Sequence, residues 1–251
     1  MPKMSFAGKS VIVTGASSGI GAATAILFAE QGASVVIIGR NESKLNAVAG
    51  KLPKNAQPLI MKADVTTDAK KIIDETVNKF GKIDVLVNNA GFGKYGSLTD
   101  GKFLEAYDTV MKTNLRAVAE LTMLALPHLT KTKGNIINIS SVAAMSVPRD
   151  ARSLSYYISK AALDHFTRGA ALEFASKGIR VNSVNPGPVV TDFLENMDAE
   201  MSYDDVKNFT VLKRVSTAEE IAELIMYLAG DKAQGITGSI MVTDNGFLLK
   251  R

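Results

Sequence analysis

Seven short runs rich in valine and isoleucine recur along the 251-residue chain, separated by amphipathic stretches of helical length. Each run is apolar at consecutive positions rather than at alternate ones, which is typical of strands buried on both faces of a sheet. The alternation of strands and helices predicts one parallel, doubly wound sheet with right-handed crossovers. The runs are "SVIVT" (10–14), "SVVIIG" (34–39), "QPLIMK" (57–62), "IDVLVN" (83–88), "NIINIS" (135–140), "IRVNSV" (179–184) and "GSIMVT" (238–243).

The pattern predicts a single α/β domain over residues 1–251, because no linker, repeat or low-complexity segment interrupts it. The least regular part, residues 189–214, is too long for a plain connection and is a candidate substrate lid. Its apolar side chains indicate an apolar pocket, although the same residues could simply pack the lid onto the body. They are Phe193, Leu194, Met197, Met201, Tyr203 and Phe209.

Composition narrows the chemistry that the chain can perform. There is no cysteine, which excludes disulfides, thiolate metal sites and cysteine nucleophiles, and only two histidines are present, so we expect no metal site. The net charge is +4, but lysine and arginine are scattered, which indicates a solvated surface rather than a nucleic-acid partner. No signal peptide and no run near the roughly 18 apolar residues of a membrane span is present, so we expect no membrane association and a cytoplasmic location.

A glycine-rich turn follows the first predicted strand. The motif "TGASSGIG" (14–21) leads into the helical stretch "AATAILFAEQG" with the spacing Gly15-x-x-x-Gly19-x-Gly21. Glycines at such a turn let the backbone approach a pyrophosphate, and the helix N-terminus stabilises its charge. The alternative is a simple turn, but the position after the first strand favours a dinucleotide site in a Rossmann-type fold.

The end of the second predicted strand indicates which dinucleotide is bound. An Asp or Glu about 20 residues after the glycines would bind a free ribose 2′-hydroxyl. The chain instead has "GRNESK", with Gly39 and Arg40. Because a guanidinium suits a 2′-phosphate through charge-assisted hydrogen bonds, the sequence predicts NADP(H). Alternatively, Arg40 stacks on the adenine or faces solvent.

Three further motifs lie at the carboxyl ends of predicted strands, where open α/β sheets place ligands. In "ADV" (63–65), Asp64 could accept a hydrogen bond from the adenine amine or cap the following helix. In "NNAG" (88–91), the small pair Ala90–Gly91 leaves room for a ribose or ring. In "NPGPVVT" (185–191), two prolines stiffen a loop whose backbone and threonine hydroxyl could bind a carboxamide, unless it is only a rigid turn.

The stretch "SYYISK" (155–160) sets two tyrosines three and four residues before Lys160. Tyr156 and Lys160 share one helix face, and Tyr157 is also within reach, so spacing alone leaves both open as a proton donor. A free phenol titrates near pH ~10, and a neighbouring ammonium favours the phenolate. We therefore expect a lowered pKa, which would suit proton transfer near neutral pH.

In order and spacing these motifs resemble the short-chain dehydrogenase/reductase family, from residue 10 to about 246. The resemblance also covers Asn114 in "KTNLRA" and "NISS" at 138–141. Within the family the pattern is similar to the 3-oxoacyl-(acyl-carrier-protein) reductase-like group of NADP-dependent carbonyl reductases. The one departure is Asn245, which stands where a glycine is commoner.

The resemblance implies a catalytic tetrad with distinct roles, made up of Asn114, Ser141, Tyr156 and Lys160. It puts the acid at Tyr156 and leaves Tyr157 pointing about 100° away around the helix. Ser141 would bind the substrate carbonyl, Lys160 the nicotinamide ribose, and Asn114 a water that resupplies protons. Taken singly, Ser141 could be a cap or turn and Asn114 a surface polar residue.

The resulting prediction is an NADP(H)-dependent oxidoreductase that transfers hydride between nicotinamide and a ketone or secondary alcohol. An apolar fatty-acyl, steroid or terpenoid substrate is favoured over a sugar, since Met145, Val147 and Pro148 follow Ser141. The rival is a non-catalytic dinucleotide-binding or scaffold protein of the same fold. The predicted cofactor-binding residues are Gly15, Ser17, Ser18, Gly19, Ile20, Gly21, Arg40, Asp64, Val65, Asn88, Ala90, Gly91, Tyr156, Lys160, Pro186, Gly187, Val189 and Thr191.

A homotetramer is also predicted, partly from the resemblance. The helix over roughly 154–176 carries small residues that permit close helix approach, and the tail "GFLLK" ends in apolar side chains. Apolar residues of this kind favour an interface, although they could also pack within one subunit.

Overall fold

The computed structural model describes residues 5–197 and 202–250, and it contains the predicted seven-stranded sheet. All neighbouring strands pair in parallel, in the order β3-β2-β1-β4-β5-β6-β7. The strands are β1 (Ser10–Thr14), β2 (Ser34–Gly39), β3 (Leu59–Lys62), β4 (Val85–Asn88), β5 (Asn135–Ile139), β6 (Arg180–Pro186) and β7 (Ile240–Thr243). The predicted doubly wound fold is thereby confirmed, and the strand order reverses between β1 and β4.

Helices cover both faces of the sheet. Successive residues of a strand point to opposite faces. Val11 and Val13 accordingly pack in one hydrophobic cluster with helices α1 (Gly19–Glu30) and α9 (Ala218–Ala229), whereas Ile12 packs in a second cluster with α3 (Ala69–Phe80), α5 (Ala117–Thr132) and α6 (Leu154–Phe174). The helices of the described residues are α1 (Gly19–Glu30), α2 (Glu42–Ala49), α3 (Ala69–Phe80), α4 (Phe103–Met111), α5 (Ala117–Thr132), α6 (Leu154–Phe174), α7 (Phe193–Asn196), α8 (Tyr203–Val206) and α9 (Ala218–Ala229).

The prediction of burial on both faces holds for the inner strands and is wrong for the two edge strands. Every residue of β1, β4 and β5 is buried. On the edge strand β3, Ile60 is 37% exposed, and on the opposite edge strand β7, Val242 is 42% exposed. An edge strand has a neighbour on one side only, so its outer positions receive less cover.

One π-helical turn, Lys112–Arg116, joins α4 to α5. Such turns are rare and frequently occur at functional sites. The turn carries Asn114, which is only 1% exposed and therefore is not the surface polar residue that its helical setting allowed.

The predicted lid, residues 189–214, contains the short helices α7 and α8 and a 3-10 turn over Lys207–Phe209. Val189 also forms an isolated parallel bridge with Ser216. Met201 lies outside the described residues, and the function of the segment as a lid stays a prediction. Within the described part of the chain, no helix has the length and apolar character needed to cross a bilayer.

Candidate active site

A cavity of about 950 Å³ opens at the carboxyl ends of the inner strands. It brings together most of the residues predicted from the motifs, although they are spread over about 180 positions of the chain. Predicted residues on its wall are Gly15, Ser17, Ser18, Gly19, Ile20, Arg40, Asp64, Val65, Ala90, Gly91, Ser141, Tyr156, Lys160, Pro186, Gly187, Val189 and Thr191.

Gly21, Asn88 and Asn114 do not line the cavity but lie behind its wall. A Cβ on Gly21 would lie 2.3 Å from the Gly15 carbonyl oxygen, so this glycine permits the close packing of α1 on the turn. Asn88 is 2% exposed and donates from Nδ2 to Asn138 Oδ1 at 2.9 Å, which ties β4 to β5. Gly21 and Asn88 therefore support the wall rather than form it.

Asn89, which the motif analysis did not single out, lines the cavity beside Gly15. Its Nδ2 donates to the Thr14 carbonyl at 2.9 Å and to the Gly15 carbonyl at 3.2 Å, and so holds the glycine-rich turn in place. The doubled asparagine of "NNAG" was a signal in the sequence. The sequence alone, however, could not show which of the two, Asn88 or Asn89, lines the cavity.

The glycine-rich turn forms a tight floor for the cavity. Gly15 and Gly19 have φ values of +64° and +52°, in the left-handed region that favours glycine. A Cβ on Gly19 would lie 2.8 Å from Thr191 Cγ2, and one on Gly15 would lie 2.9 Å from Ala90 Cα. Ser18 precedes α1 without a side-chain capping bond, and the first turn of α1 has no acidic residue. The first amides of α1 are therefore available to an anion.

Arg40 and Asp64 lie at one end of the cavity. Arg40 is exposed, and a Cβ on the preceding Gly39 would lie 3.2 Å from Ser17 Oγ. Asp64 Oδ1 accepts hydrogen bonds from Thr66 N at 2.9 Å and Thr66 Oγ1 at 2.8 Å. Burial acts to raise the pKa of Asp64, but these bonds and the Arg40 charge outweigh it, so the pKa lies below its usual value. This end is thus charged and polar.

Ser141, Tyr156 and Lys160 meet at the other end. Ser141 lies two residues after the end of β5, and its hydroxyl is close enough to Tyr156 to act on the pKa of the phenol. Lys160 Nζ lies 5.6 Å from the centre of the Tyr156 ring and donates to the Ile139 carbonyl at 2.8 Å. One helix, α6, carries the phenol and the ammonium on adjacent turns, which is the arrangement that the i and i+4 spacing predicts.

Burial dominates the ionisation of both groups on α6. It raises the pKa of Tyr156 to about 12, although the bond from Ser141 lowers it. It also lowers the pKa of Lys160 to about 8, against the opposing charge of Asp164. The expectation that Lys160 brings the phenol pKa down toward neutrality is therefore wrong here, because desolvation of the phenolate prevails. At neutral pH, Tyr156 holds its proton.

Tyr157 lines the same cavity but occupies a different environment. Its ring packs edge-on against Tyr156 with the ring centres 6.2 Å apart. Burial raises its pKa, and the charge of Arg149 acts against that rise. Phe193 of α7 packs on Tyr156 from another side, with ring centres 5.3 Å apart. Tyr157 therefore contributes an aromatic wall beside the Tyr156–Ser141 pair.

Asn114 is linked to α6 through one hydroxyl and to Phe92 through the backbone of that residue. Its Nδ2 donates to the Phe92 carbonyl at 2.9 Å and to Ser159 Oγ at 3.0 Å, and its Oδ1 accepts from Phe92 N at 3.1 Å. A Cβ on Gly91 would lie 3.2 Å from Asn114 Oδ1 and 3.3 Å from Lys160 Nζ. Asn114 therefore approaches Gly91 from behind the wall, and Lys160 approaches it on the wall itself.

Sequence reasoning missed two contacts of the predicted lid segment, one within the segment and one between the segment and α2. Tyr203 Oη donates to the Thr191 carbonyl at 2.7 Å and accepts from Thr191 N at 3.1 Å. Lys44 Nζ of α2 forms an ion pair with Asp192 at 2.6 Å. These partners are 12 and 148 positions apart, and nothing in the local sequence marks them as pairs.

No group of three or more His, Cys, Asp or Glu side chains able to hold a metal ion occurs among residues 5–197 and 202–250.

Comparison with known proteins gives concordant matches. The family model described as "Enoyl-(Acyl carrier protein) reductase" matches residues 15–248. Glucose 1-dehydrogenase of Gluconobacter oxydans is 39% identical, covering 97% of this chain and 93% of that protein. A 3-oxoacyl-(acyl-carrier-protein) reductase of Thermotoga maritima is 34% identical, covering 98% and 100%. The crystal structure of a short chain dehydrogenase from Burkholderia cenocepacia in complex with NADP is 33% identical, with a TM-score of 0.89 and coverage of 97% and 99%.

Proposed function

Because the chain belongs to the short-chain dehydrogenase/reductase family of oxidoreductases, we propose that it is an NADP(H)-dependent carbonyl reductase. The observation that carries the proposal is the cavity of about 950 Å³. A glycine-rich turn and Arg40 form one end, and Ser141, Tyr156 and Lys160 form the other. A cavity of this size suits a dinucleotide together with part of a substrate.

The residues present fit NADP(H). A pyrophosphate would lie on the glycine-rich turn at the N-terminus of α1, where side chains larger than hydrogen would collide with Thr191 or Ala90. Arg40 would bind the 2′-phosphate, and Lys160 the nicotinamide ribose. The backbone near Val189 and Thr191 would hold the carboxamide. Once bound, the cofactor supplies the hydride, and the chain supplies orientation, a proton and electrostatic stabilisation. The Burkholderia cenocepacia relative, solved with NADP, supports the choice of cofactor class.

Tyr156 acts as the general acid in this proposal. The Ser141 and Tyr156 hydroxyls bind the substrate carbonyl oxygen. As the carbonyl carbon is reduced, the Tyr156 O–H bond breaks and its proton moves to that oxygen, which gives the alcohol. The Lys160 ammonium stabilises the phenolate left behind. Asn114 acts from behind Gly91, where it would hold a water that returns the proton.

Reduction is the direction that the ionisation of the site supports. With its pKa raised to about 12, Tyr156 is a phenol at neutral pH and is ready to donate. Oxidation of an alcohol would require a phenolate that burial disfavours. We therefore propose carbonyl reduction as the favoured direction near neutral pH.

The cavity has aromatic and apolar residues on its wall, namely Tyr95, Tyr157, Phe193, Leu194 and Met197, beside the charged Asp150 and Arg152. Met145, Val147 and Pro148, which the sequence analysis counted toward an apolar pocket, do not line it. This lining supports an apolar carbonyl substrate of fatty-acyl, steroid or terpenoid type. Two of the relatives named above are a glucose 1-dehydrogenase and a 3-oxoacyl-(acyl-carrier-protein) reductase, so the choice rests on the lining and not on the family.

A cytoplasmic homotetramer completes the proposal. Leu172 on α6 is 82% exposed, and Val242 on the edge strand β7 and Leu249 in the tail are 42% and 79% exposed. Exposed apolar residues at two separate places on one subunit can contribute to the two interfaces of a dihedral tetramer. The lack of cysteine agrees with a reducing compartment.

The test is NADPH consumption, followed by absorbance, with a panel of acyl thioesters, steroid ketones, terpenoid ketones and small diketones. NADPH-dependent reduction of at least one apolar carbonyl is the expected result. Tight NADPH binding without turnover of any member would favour a non-catalytic dinucleotide-binding protein instead.

A further inference from the structure

A buried carboxylate lies one turn beyond Lys160 on α6. Asp164 is 4% exposed, and its Oδ2 accepts from Asn185 Nδ2 at 2.7 Å. Its Oδ1 lies 3.2 Å from Ser183 Oγ, which also lies 2.6 Å from Asn185 Oδ1, and the side chain of Ser140 is close enough to the carboxyl group to act on its pKa. Burying a carboxylate costs free energy unless it is well hydrogen-bonded. A buried carboxylate in a short polar network therefore indicates a specific role.

The network around Asp164 reaches two groups of the candidate active site. The amide of Asn185 that binds Asp164 also donates to the Ser141 carbonyl at 3.1 Å. The hydroxyl of Ser140 donates to the Lys160 carbonyl at 3.1 Å. Asp164 therefore lies where β5, β6 and α6 meet, directly behind Ser141 and Lys160.

Lys160 and Arg168, on the turns before and after it, are the charged groups that act on Asp164. Strands β5 and β6 present the neutral side chains of Ser140, Ser183 and Asn185. An open groove lies on the opposite side of α6, away from the buried carboxylate. It is lined by the charged residues Asp108, Lys112 and Arg116 of the neighbouring elements and by Ala162 and His165 of α6.

Burial raises the pKa of Asp164, and the neutral side chains of Ser140, Asn185 and Ser183, together with the charge of Arg168, act against that rise. The negative charge in turn raises the pKa of Lys160 against the effect of burial. Lys160 thus has a counter-charge on its own helix that faces away from the cavity.

We propose that Asp164 is a positioning residue with two effects: it holds Ser141 in place through Asn185, and it stands as the buried counter-charge of Lys160 one turn away on α6. The inference rests on the proposed carbonyl reduction, in which Ser141 and Lys160 are used. Asp164 touches neither substrate nor cofactor in this account. It acts through Ser141 and Lys160, so its effect has to be measured as a change in the behaviour of those two residues.

The first test removes the charge and keeps the shape, with Asp164→Asn. Side-chain NMR of lysine-labelled protein, with the Lys160 signal assigned by its absence in Lys160→Met, follows the titration of Lys160 without any substrate. The Lys160 pKa should fall by about one unit relative to wild type. The control Glu173→Gln removes the same charge from an exposed position of the same helix and should leave Lys160 unchanged. An unchanged Lys160 pKa in Asp164→Asn would overturn the counter-charge.

The second test uses the pH dependence of catalysis, with acetoacetyl-coenzyme A and diacetyl as probe substrates. The form active in reduction carries both the Lys160 and the Tyr156 proton, and removing a nearby negative charge eases the loss of either. The alkaline limb of kcat/KM should therefore move to lower pH in Asp164→Asn. A purely structural role for Asp164 would lower kcat and leave the limb in place, and that result would overturn the proposal.

Two further measurements keep the inference falsifiable if Asp164→Asn does not fold. In wild type, carbon NMR of the Asp164 carboxyl should show it ionised at neutral pH, and a protonated carboxyl there would exclude a counter-charge. In Asn185→Ala, kcat should fall about tenfold with KM nearly unchanged as Ser141 loses its tether. A kcat equal to that of wild type would refute the tether.

Failure of this inference is distinguishable from failure of the proposed function. A wild-type protein that reduces no carbonyl would refute the function, whereas the Lys160 titration would still decide the counter-charge. The inference alone would be refuted if the wild-type protein reduces the probes but Asp164→Asn changes neither the titration of Lys160 nor the alkaline limb of the kcat/KM profile.

Discussion

Removing Arg40 should convert a preference for NADPH into near equality with NADH. The preference arises because a guanidinium binds the 2′-phosphate, and a hydrogen bond to a charged group contributes about 1.5–3 kcal/mol net. Arg40 is exposed in the structure, so solvent screening puts the effect at the lower end. About 1.5 kcal/mol corresponds to roughly tenfold in affinity. The same exposure predicts that the preference weakens as salt increases.

The assay compares kcat/KM and KM for both cofactors in wild type and Arg40→Ala. The expected result is a rise of about tenfold in KM for NADPH with little change for NADH. Lys70→Ala serves as the control, since it removes the same charge from an exposed site on α3 that does not line the cavity. Equal wild-type values for the two cofactors, or an Arg40→Ala effect common to both, would refute the assignment of Arg40 to the phosphate.

Three other perturbations test the structure. Asn114→Ala should lower the free energy of unfolding by about 1–3 kcal/mol, because the Phe92 amide and carbonyl lose their hydrogen-bond partner. An unchanged thermal midpoint of unfolding would refute this prediction. Burial lowers the pKa of Lys160 in the folded state to about 8, from an ordinary value of 10.5. Between pH 8 and pH 10.5 the folded state therefore binds fewer protons than the unfolded state, and the wild-type protein becomes more stable as the pH rises. The stability advantage of Lys160→Met should therefore shrink from neutral pH to about 10.5, and a constant difference would contradict the burial effect. Light scattering should give a tetramer mass for wild type and a smaller mass for Leu172→Glu, whereas a monomeric wild type would refute the tetramer.

The strands and the position of the site could be predicted from the sequence because both depend on local patterns. Doubly apolar runs identify inner strands, and parallel strands bring their carboxyl ends to one edge of the sheet. Motifs far apart in the chain, such as those at Gly15, Ser141 and Thr191, therefore had to meet. The edge strands β3 and β7 were harder, because their composition resembles that of inner strands while their cover depends on the strand order.

Features that depend on burial or on long-range pairing could not be predicted. The pKa of Tyr156 is raised rather than lowered because α6 buries the phenol, and spacing along a helix carries no information about burial. The bonds of Tyr203 with Thr191 and the network around Asp164 join residues with no shared motif. The π-helical turn that turns Asn114 inward also leaves no local signal in the sequence.

The assignment of Tyr156 as the proton donor is the central claim, and one comparison tests it most directly. Single-turnover reduction of a carbonyl by bound NADPH is measured in wild type, Tyr156→Phe and Tyr157→Phe, with NADPH affinity determined for each. Tyr156→Phe should lose about 10²–10⁴-fold in rate with affinity nearly unchanged, because general acids contribute on that scale. Tyr157→Phe, which alters the neighbouring ring of the same cavity, should stay within about tenfold of wild type. A reversed order of the two variants, or a Tyr156→Phe rate equal to that of wild type, would contradict the account.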